Sequence, residues 1–256
     1  MNILVCNDDG IDFEGLQVLA KTLSSIGNVY IAAPDSERSS NSHHLTIKGR
    51  VRFEERHYPY AKKAYALWGT PADCVHMGMY FLFDEKIDLV VSGINKGANV
   101  STDIIYSGTI GAAREAFLYH VPSIAVSIDS FKAEDYSVAA GYAREVALRY
   151  MEDENRCDYF LNLNVPYLKK EEIKGIRICD RICRVVYHDV YSYERKDEKD
   201  FILIGNGNFT YEGGEDDLRV DVTALANGYV SLSALGNDHI DADHNESVER
   251  IIEKCR

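Results

Sequence analysis

Several features that mark specialised classes of protein are scarce or missing in this chain of 256 residues. Only 5 residues are proline, no C-x-x-C pair occurs among the 6 cysteines, and there is no internal repeat or low-complexity linker. The first apolar run meets Asp8 too early to form the hydrophobic part of a signal peptide or a membrane span. We therefore expect a cytoplasmic globular protein that has no contact with a membrane.

The cysteines are scattered, and most lie in apolar surroundings. We expect them to be reduced and to behave as small hydrophobic residues. A zinc site through Cys179 and Cys183 is the sharper alternative, but the sequence offers no further ligands near them. The six positions are Cys6, Cys74, Cys157, Cys179, Cys183 and Cys255.

Positive charge is also in short supply. Lys and Arg total 28 against 41 Asp and Glu, which gives a formal net charge of −13. Such a surface repels nucleic-acid polymers, so a role in coating DNA or RNA is excluded. A small anionic substrate stays compatible with this charge if a metal ion, a helix N-terminus, Arg38 or Lys96 supplies a local positive field.

Three familiar site motifs are absent. The chain has no G-x-G-x-x-G after a strand, no G-x-x-x-x-G-K-[ST] and no G-x-S-x-G. These absences argue against a dinucleotide-binding fold, a P-loop enzyme and a serine hydrolase of the α/β type.

The first two thirds of the chain alternate between strand-like and helix-like patterns, which favours an α/β fold with a mostly parallel sheet covered on both faces. Residues 45–58 and 64–68 look like an antiparallel excursion. After Pro166 the pattern is β-rich, with strands at 176–191, 201–204 and 229–235 and a terminal helix at 247–255. The strands predicted before Pro166 are 2–6, 29–33, 87–91, 123–128 and 159–165, and the helices are 13–26, 70–82, 107–119 and 135–151.

Two adjacent carboxylates follow the first strand. Asp8 and Asp9 precede Gly10, and a helix rather than a second strand comes next, so this segment is a strand-to-helix loop and not a hairpin turn. Open parallel sheets place their ligands at the carboxyl ends of the strands. Two hard oxygen ligands at that position suggest a divalent metal and phosphate chemistry.

Three further segments carry candidate groups, and each has a plain alternative. The loop at 92–99 holds Asn95, whose side-chain oxygen could bind a cation, and two glycines, which let backbone N–H groups approach a phosphate. The plain alternative is an ordinary solvated loop. Ser107 begins a helix, and the free N–H groups of the first turn can bind an anion. The plain alternative is that Ser107 serves only as the N-cap of this helix. In the polar loop at 35–44 a hydroxyl could complete a metal shell, and Arg38 could hold phosphate. A histidine of this loop could protonate a leaving group, although histidines in such loops are more often exposed to solvent without a catalytic role.

Taken together, the segments resemble the SurE family, the survival-protein 5'/3'-nucleotidases. The matching segments occur in the family's order over about the first 165 residues. They are Asn7-Asp8-Asp9-Gly10, Ala33-Pro34-Asp35 with Glu37-Arg38-Ser39, Ser42-His43 with Leu45-Thr46, Gly69-Thr70-Pro71-Ala72-Asp73-Cys74-Val75, Ser92-Gly93-Ile94-Asn95 with Gly97 and Asn99, Asp103 with Tyr106-Ser107-Gly108-Thr109, and Asn162-Leu163-Asn164-Val165-Pro166.

The resemblance implies one three-layer αβα domain that is Rossmann-like, with a metal-site core at 1–170 and a β-rich C-terminal arm and terminal helix at 171–256. The arm is expected to build a homodimer or homotetramer. The resemblance also implies that one divalent ion, Mg²⁺ or Mn²⁺, is held by Asp8, Asp9, Ser39 and Asn95. Three residues depart from the family pattern without touching this set, namely Ser40, Ser101 and Ala234.

These observations predict a divalent-metal-dependent phosphatase that hydrolyses nucleoside 5'-monophosphates and extends to 3'-monophosphates. The phosphate is expected to contact the side chain of Asn99 and the helix start at Ser107, Gly108 and Thr109. Asp8 or Asp9 would orient the attacking water, and His43 is a weaker candidate for protonating the leaving group. These residues are all numbered in the printed sequence.

A Mg²⁺-dependent phospho-receiver module is the alternative, since it too has an acidic pair after its first strand. It also needs a phospho-accepting Asp after its third strand and a chain about half this length. A sugar-nucleotide glycosyltransferase is a more distant rival.

Overall fold

The structure is a computed structural model, and it describes residues 1–214 and 216–236. The helix predicted at 247–255 and Cys255 lie outside these residues. Within them, no helix has both the length and the apolar character that crossing a membrane requires.

A nine-stranded sheet forms the centre of the described chain, with the order β3-β4-β2-β1-β5-β6-β7-β11-β8. The six adjacent strands β4, β2, β1, β5, β6 and β7 run parallel to one another. β3 is antiparallel to β4, and β11 is antiparallel to β7. Two further strands, β9 and β10, pair as a separate antiparallel hairpin. In chain order the strands are β1 Asn2–Cys6, β2 Asn28–Pro34, β3 Phe53–Arg56, β4 Lys63–Leu67, β5 Leu89–Lys96, β6 Ser123–Asp129, β7 Phe160–Pro166, β8 Ile176–Ile178, β9 Arg184–Lys196, β10 Lys199–Glu212 and β11 Val230–Leu235.

Helices cover both faces of the sheet, because its central strands are apolar on both faces. Ile3 and Val5 of β1 pack in one core cluster with residues of the first and fourth helices. Leu4 and Cys6, one position along, pack in a second cluster with the second and third helices. This period of two confirms the predicted three-layer αβα fold. The helices are α1 Glu14–Leu23, α2 Pro71–Met77, α3 Gly108–Leu118, α4 Ser137–Tyr150 and α5 Asp221–Ala226.

The structure corrects the prediction at the end of β5. The strand runs to Lys96 and so occupies five of the eight residues predicted as the loop 92–99. Its pairing with β6 shifts register between Ser92 and Asn95, which marks an irregularity in the middle of the strand. The extension was not predicted because it consists mostly of polar residues and a glycine, whereas strands are recognised by apolar or alternating patterns.

Other predicted boundaries also change. Residues 45–52 are not strand, and the strand predicted at 176–191 is two strands separated by residues 179–183. The helix predicted at 70–82 ends as α2 at Met77 and continues as a π-helical turn, Gly78–Leu82. α5 was not predicted, because its short polar sequence has no clear apolar period.

The C-terminal part is β-rich, as predicted, but it does not form one body. β8 and β11 belong to the central sheet, and only the hairpin β9–β10 forms a sheet of its own. The division of the chain at residue 170 stays a prediction.

The start of α2 fixes the polar loop that follows β2. Thr70 and Asp73 form a reciprocal capping box, with Pro71 in the first turn. The carboxylate of Asp73 is fully buried and also accepts hydrogen bonds from the backbone N–H and the hydroxyl of Thr46, at 2.7 and 2.8 Å. One buried carboxylate therefore joins a helix start to a loop.

We expect Asp73→Ala to lower the free energy of unfolding by about 2–4 kcal/mol, because it removes a helix cap and leaves buried N–H donors without partners. Chemical denaturation of the two proteins measures this difference. Asp84→Ala is the matched control: its carboxylate is 93% exposed and, among the described residues, pairs with Lys63 alone, so its loss should change stability by less than about 1 kcal/mol. Equal effects of the two substitutions would contradict the role given to Asp73.

Candidate active site

A cavity of about 450 Å³ lies at the carboxyl ends of β1 and β5 and beside the start of α3. This is the edge where parallel sheets bind ligands. The cavity brings together Asp8, Asp9, Ser39, Asn95, Asn99 and Ser107, which the sequence predicted as site residues. It is also lined by Phe13, Glu37, Ser40, Lys96, Gly97, Ala98, Asp103, Tyr106, Phe131 and Tyr187.

The turn after β1 holds the two carboxylates in different surroundings. Asn7 is fully buried, and its side-chain amide donates to the carbonyl of Gly10 at 2.9 Å and accepts from the N–H of Gly10 at 3.2 Å. Asp8 is 4% exposed, and its Oδ1 accepts from the Thr109 hydroxyl at 2.6 Å. Asn7 therefore fixes the turn, and α3 fixes Asp8.

Burial raises the pKa of Asp8, although hydrogen bonds from Thr109 oppose the effect. Burial and the neighbouring charge of Asp8 raise the pKa of Asp9 to about 7, against a hydrogen bond from the Lys96 backbone. In addition, the buried Oδ2 of Asp9 has no hydrogen-bond partner among the described residues. A buried polar atom without a partner is costly, so this oxygen is suited to a cation.

Asn95 and Ser39 approach the pair from two other elements. The side-chain N–H of Asn95 donates to the carbonyl of Gly97 at 2.7 Å, which fixes the amide while its oxygen makes no hydrogen bond within the described chain. Ser39 is exposed, and its hydroxyl donates to Glu37 at 2.7 Å. Both residues thus have an oxygen that can serve as a hard metal ligand.

The start of α3 meets Asp8 closely. Ser107 is the N-cap, and its hydroxyl accepts from the N–H of Ile110 at 3.1 Å. A Cβ added at Gly108 would lie 3.0 Å from both the Cβ and the Oδ2 of Asp8, so only glycine lets the helix come this near. The hydroxyl of Thr109 is committed to Asp8, whereas the N–H groups of Ser107 and Gly108 have no hydrogen-bond partner in the described chain.

Asn99 is fixed by a network that sequence reasoning missed. Its N–H donates to Oδ1 of Asn164 at 2.8 Å, and its carbonyl accepts from the side chains of Asn162 and Asn164 at 2.9 and 3.1 Å. Its own amide donates to the hydroxyl of Ser127 at 2.8 Å. The signal was present: two asparagines alternate in an otherwise apolar strand, and such a period of two places them on one face.

The structure does not bring His43 to the cavity. Its Nε2 lies 2.7 Å from Glu115, whose other oxygen lies 2.8 Å from Nδ1 of His76. Glu115 is 2% exposed; burial raises its pKa, but the contacts with His43 and His76 prevail and lower it. His43 therefore ties the polar loop to α3 and is not placed to protonate a leaving group.

Arg38 is likewise absent from the residues that line the cavity. Its guanidinium pairs with Asp35 at 2.8 Å, while its backbone N–H donates to the carbonyl of Asp8 at 2.7 Å. Lys96 is the one Lys or Arg among the described lining residues, against the carboxylates of Asp8, Asp9, Glu37 and Asp103. An anion entering this cavity needs compensation for that negative charge.

The two serines that depart from the family pattern share a backbone conformation. Ser40 and Ser101 have φ of 59° and 56°, in the left-handed region that favours glycine. Ser101 is fully buried, and its N–H donates to Asp221 at 2.6 Å, which helps to hold this conformation. The departures at Ser40 and Ser101 therefore fall on turns and leave the four candidate metal ligands unchanged.

Comparison with known proteins gives a consistent result over the whole chain. The family model described as Survival protein SurE matches residues 3–188. Proteins named 5'-nucleotidase SurE from Clostridium botulinum (strain 657 / Type Ba4) and Clostridium beijerinckii are each 40% identical to this chain. The first alignment covers 98% of this chain and 99% of the relative, and the second covers 99% and 100%.

A solved structure, the SurE protein from Aquifex aeolicus, superposes with a TM-score of 0.80 at 31% sequence identity. It covers 98% of this chain and 99% of its own. The ordered motifs, the αβα sheet and these near-complete alignments agree, and the chain belongs to the SurE family.

Proposed function

We propose that this protein is a divalent-metal-dependent phosphatase that hydrolyses nucleoside 5'-monophosphates to nucleoside and phosphate. The relatives at 40% identity carry the name 5'-nucleotidase, which supports the substrate class. The observation that carries the proposal is the unpartnered, buried Oδ2 of Asp9 beside the buried Asp8. The family resemblance also implies nucleoside 3'-monophosphates as substrates.

The residues of the cavity fit a single hard cation. Asp8, Asp9, Ser39 and Asn95 would hold it, since carboxylate, hydroxyl and amide oxygens are the ligands that Mg²⁺ and Mn²⁺ prefer. A cation there would offset the charge of two desolvated carboxylates, one of which, Asp8, raises the pKa of the other. When bound, such an ion polarises a phosphoryl oxygen and lowers the pKa of a coordinated water.

The chain's own groups would hold the phosphate. The N–H of Gly108 lies at the positive end of α3 beside Asp8, and the hydroxyl of Ser107 and the amide of Asn99 line the same cavity. Thr109 acts through Asp8, to which its hydroxyl donates. Lys96 adds the positive charge that an anionic substrate needs in so acidic a cavity.

Asp9 is the carboxylate better placed to orient the attacking water. Asp8 is held by Thr109 and is almost fully buried, whereas Asp9 is partly exposed and has an oxygen to spare.

We further propose that the protein is a cytoplasmic homodimer or homotetramer built through the β9–β10 hairpin. Tyr191, Tyr193, Ile202 and Ile204 of this hairpin are each at least 62% exposed, and contiguous exposed apolar surface commonly marks an interface. Cys6, Cys74, Cys157, Cys179 and Cys183 form no disulfide among the described residues, which accords with a reducing compartment.

Purified protein should release phosphate from adenosine 5'-monophosphate only in the presence of Mg²⁺ or Mn²⁺, and Asp9→Asn should lower kcat/KM by at least ~100-fold, since a metal contributes several kcal/mol to the transition state. Phosphate release is the measurement. Asp84→Asn, which changes an exposed carboxylate, is the control and should be unaffected. Undiminished turnover in excess chelator would disprove the mechanism.

Asp9→Asn should also stabilise the metal-free protein at pH 8. In the unfolded chain the carboxyl ionises near its ordinary pKa of 3.8, whereas in the folded chain its pKa is about 7. The folded state therefore binds more protons across this interval, and its stability falls as pH rises from about 4 to about 7. The asparagine variant lacks this loss.

Thermal unfolding in chelator at pH 4.5 and pH 8 tests this sign. The advantage of Asp9→Asn over the wild type should be larger at pH 8, and added Mn²⁺ should raise the Tm of the wild type more than that of the variant. A variant that is less stable than the wild type at pH 8 would show that Asp9 is not destabilised in the metal-free fold.

A further inference from the structure

The phosphate end of the cavity is polar, but another part of its lining is aromatic. Tyr106, Phe131 and Tyr187 line the cavity together with Phe13. Phe13 is half-buried and packs edge-on against Tyr136 at 5.5 Å, so it belongs to the core. The other three rings are 58%, 74% and 50% exposed, in the order named. A single exposed aromatic ring is ordinary, but several exposed rings around one cavity indicate a binding surface.

Phe131 is held in place without being covered. It follows β6, and its ring lies so close to Gly97 that an added Cβ would be 2.5 Å from Cε1 of the ring. Gly97 has φ of +104°, which side chains other than glycine rarely adopt. No partner ring is found for Phe131 or Tyr106 in the part of the chain that the structure describes. Their ring surface is thus available to a ligand.

Tyr187 reaches the cavity from the β9–β10 hairpin. Its hydroxyl donates to Oδ1 of Asp103, which lies in the 3₁₀ turn Ser101–Ile105 that precedes Tyr106. This hydrogen bond fixes the ring beside the same turn that carries the Tyr106 side chain into the lining. Segments that are far apart in sequence therefore converge on one aromatic wall.

We propose that Tyr106, Phe131 and Tyr187 form the subsite for the nucleobase of the substrate, a deduction that rests on the proposed nucleotidase function. A base is flat, and it is uncharged at neutral pH, so Asp103 and Glu37 nearby do not repel it. Stacking on aromatic side chains accepts any base because each has a π-face. With phosphate held at Ser107, Gly108 and Asn99, a cavity of this volume has room for both ends of a nucleotide.

The subsite predicts a selective loss when the Phe131 ring is removed. We expect Phe131→Ala to lower kcat/KM for adenosine 5'-monophosphate about tenfold relative to kcat/KM for ribose 5-phosphate, which has the same phosphate ester and no base. Phe131→Trp keeps a stacking surface and should keep the ratio. Calorimetric titration with the same two compounds in excess chelator, where the protein is expected not to hydrolyse them, gives a second readout that does not need turnover.

Phe81→Ala is the matched control. Phe81 is 75% exposed, as Phe131 is 74% exposed, but it lies on the π-helical turn outside the cavity lining, so its removal should leave the ratio unchanged. A Phe131→Ala variant that loses equally on both substrates, or on neither, would overturn the subsite. If the wild type hydrolyses neither ester, the proposed function fails, and the calorimetric comparison still decides whether Phe131 favours the compound that has a base.

Discussion

The site depends on the enforced closeness of two carboxylates at the buried end of β1. Asp8 and Asp9 are adjacent in sequence, and the turn fixed by Asn7 and Gly10 keeps both on the cavity. In water such a pair would repel weakly, but here burial raises the pKa of both groups, and the charge of Asp8 raises the pKa of Asp9 further. The fold thus maintains a concentration of negative charge that a bound divalent cation would relieve at neutral pH and above, and the neighbouring oxygen donors are arranged around it.

Polar contacts that are buried beneath the surface hold those donors in place. Asp73 ties Thr46 to the start of α2, and Glu115 joins His43 and His76 to α3. The segment between β2 and β3 has little regular structure of its own, so its path is set by these two carboxylates. Ser39 reaches the site because its loop is anchored on both sides.

Much of this organisation is predictable from the sequence, because strong periodic patterns report burial directly. The boundaries of β1 were predicted without error, and the αβα layering follows from strands that are apolar on both faces. The ordered motifs also predicted that Asp8, Asp9, Ser39 and Asn95 share one site, and all four line the same cavity.

What could not be predicted depends on long-range contacts or on side-chain direction. His43 and His44 are adjacent polar residues, and no local sequence pattern indicates that His43 contacts Glu115, 72 positions away. The entry of β8 and β11 into the central sheet is a pairing between distant strands, which periodicity does not encode. For the same reason Tyr187 on the hairpin gave no sign that it would meet Asp103.

At Asn99 the path of the backbone and the identity of the side chain depend on different contacts. Asn162 and Asn164 grip its main-chain N–H and carbonyl, so the path of this loop is dictated by β7 and not by the side chain at position 99. A substitution at this position therefore removes the side-chain hydrogen bond to Ser127 but leaves the backbone contacts with β7 in place. A descendant of this enzyme could in this way acquire a new ligand preference at one position while inheriting the scaffold intact.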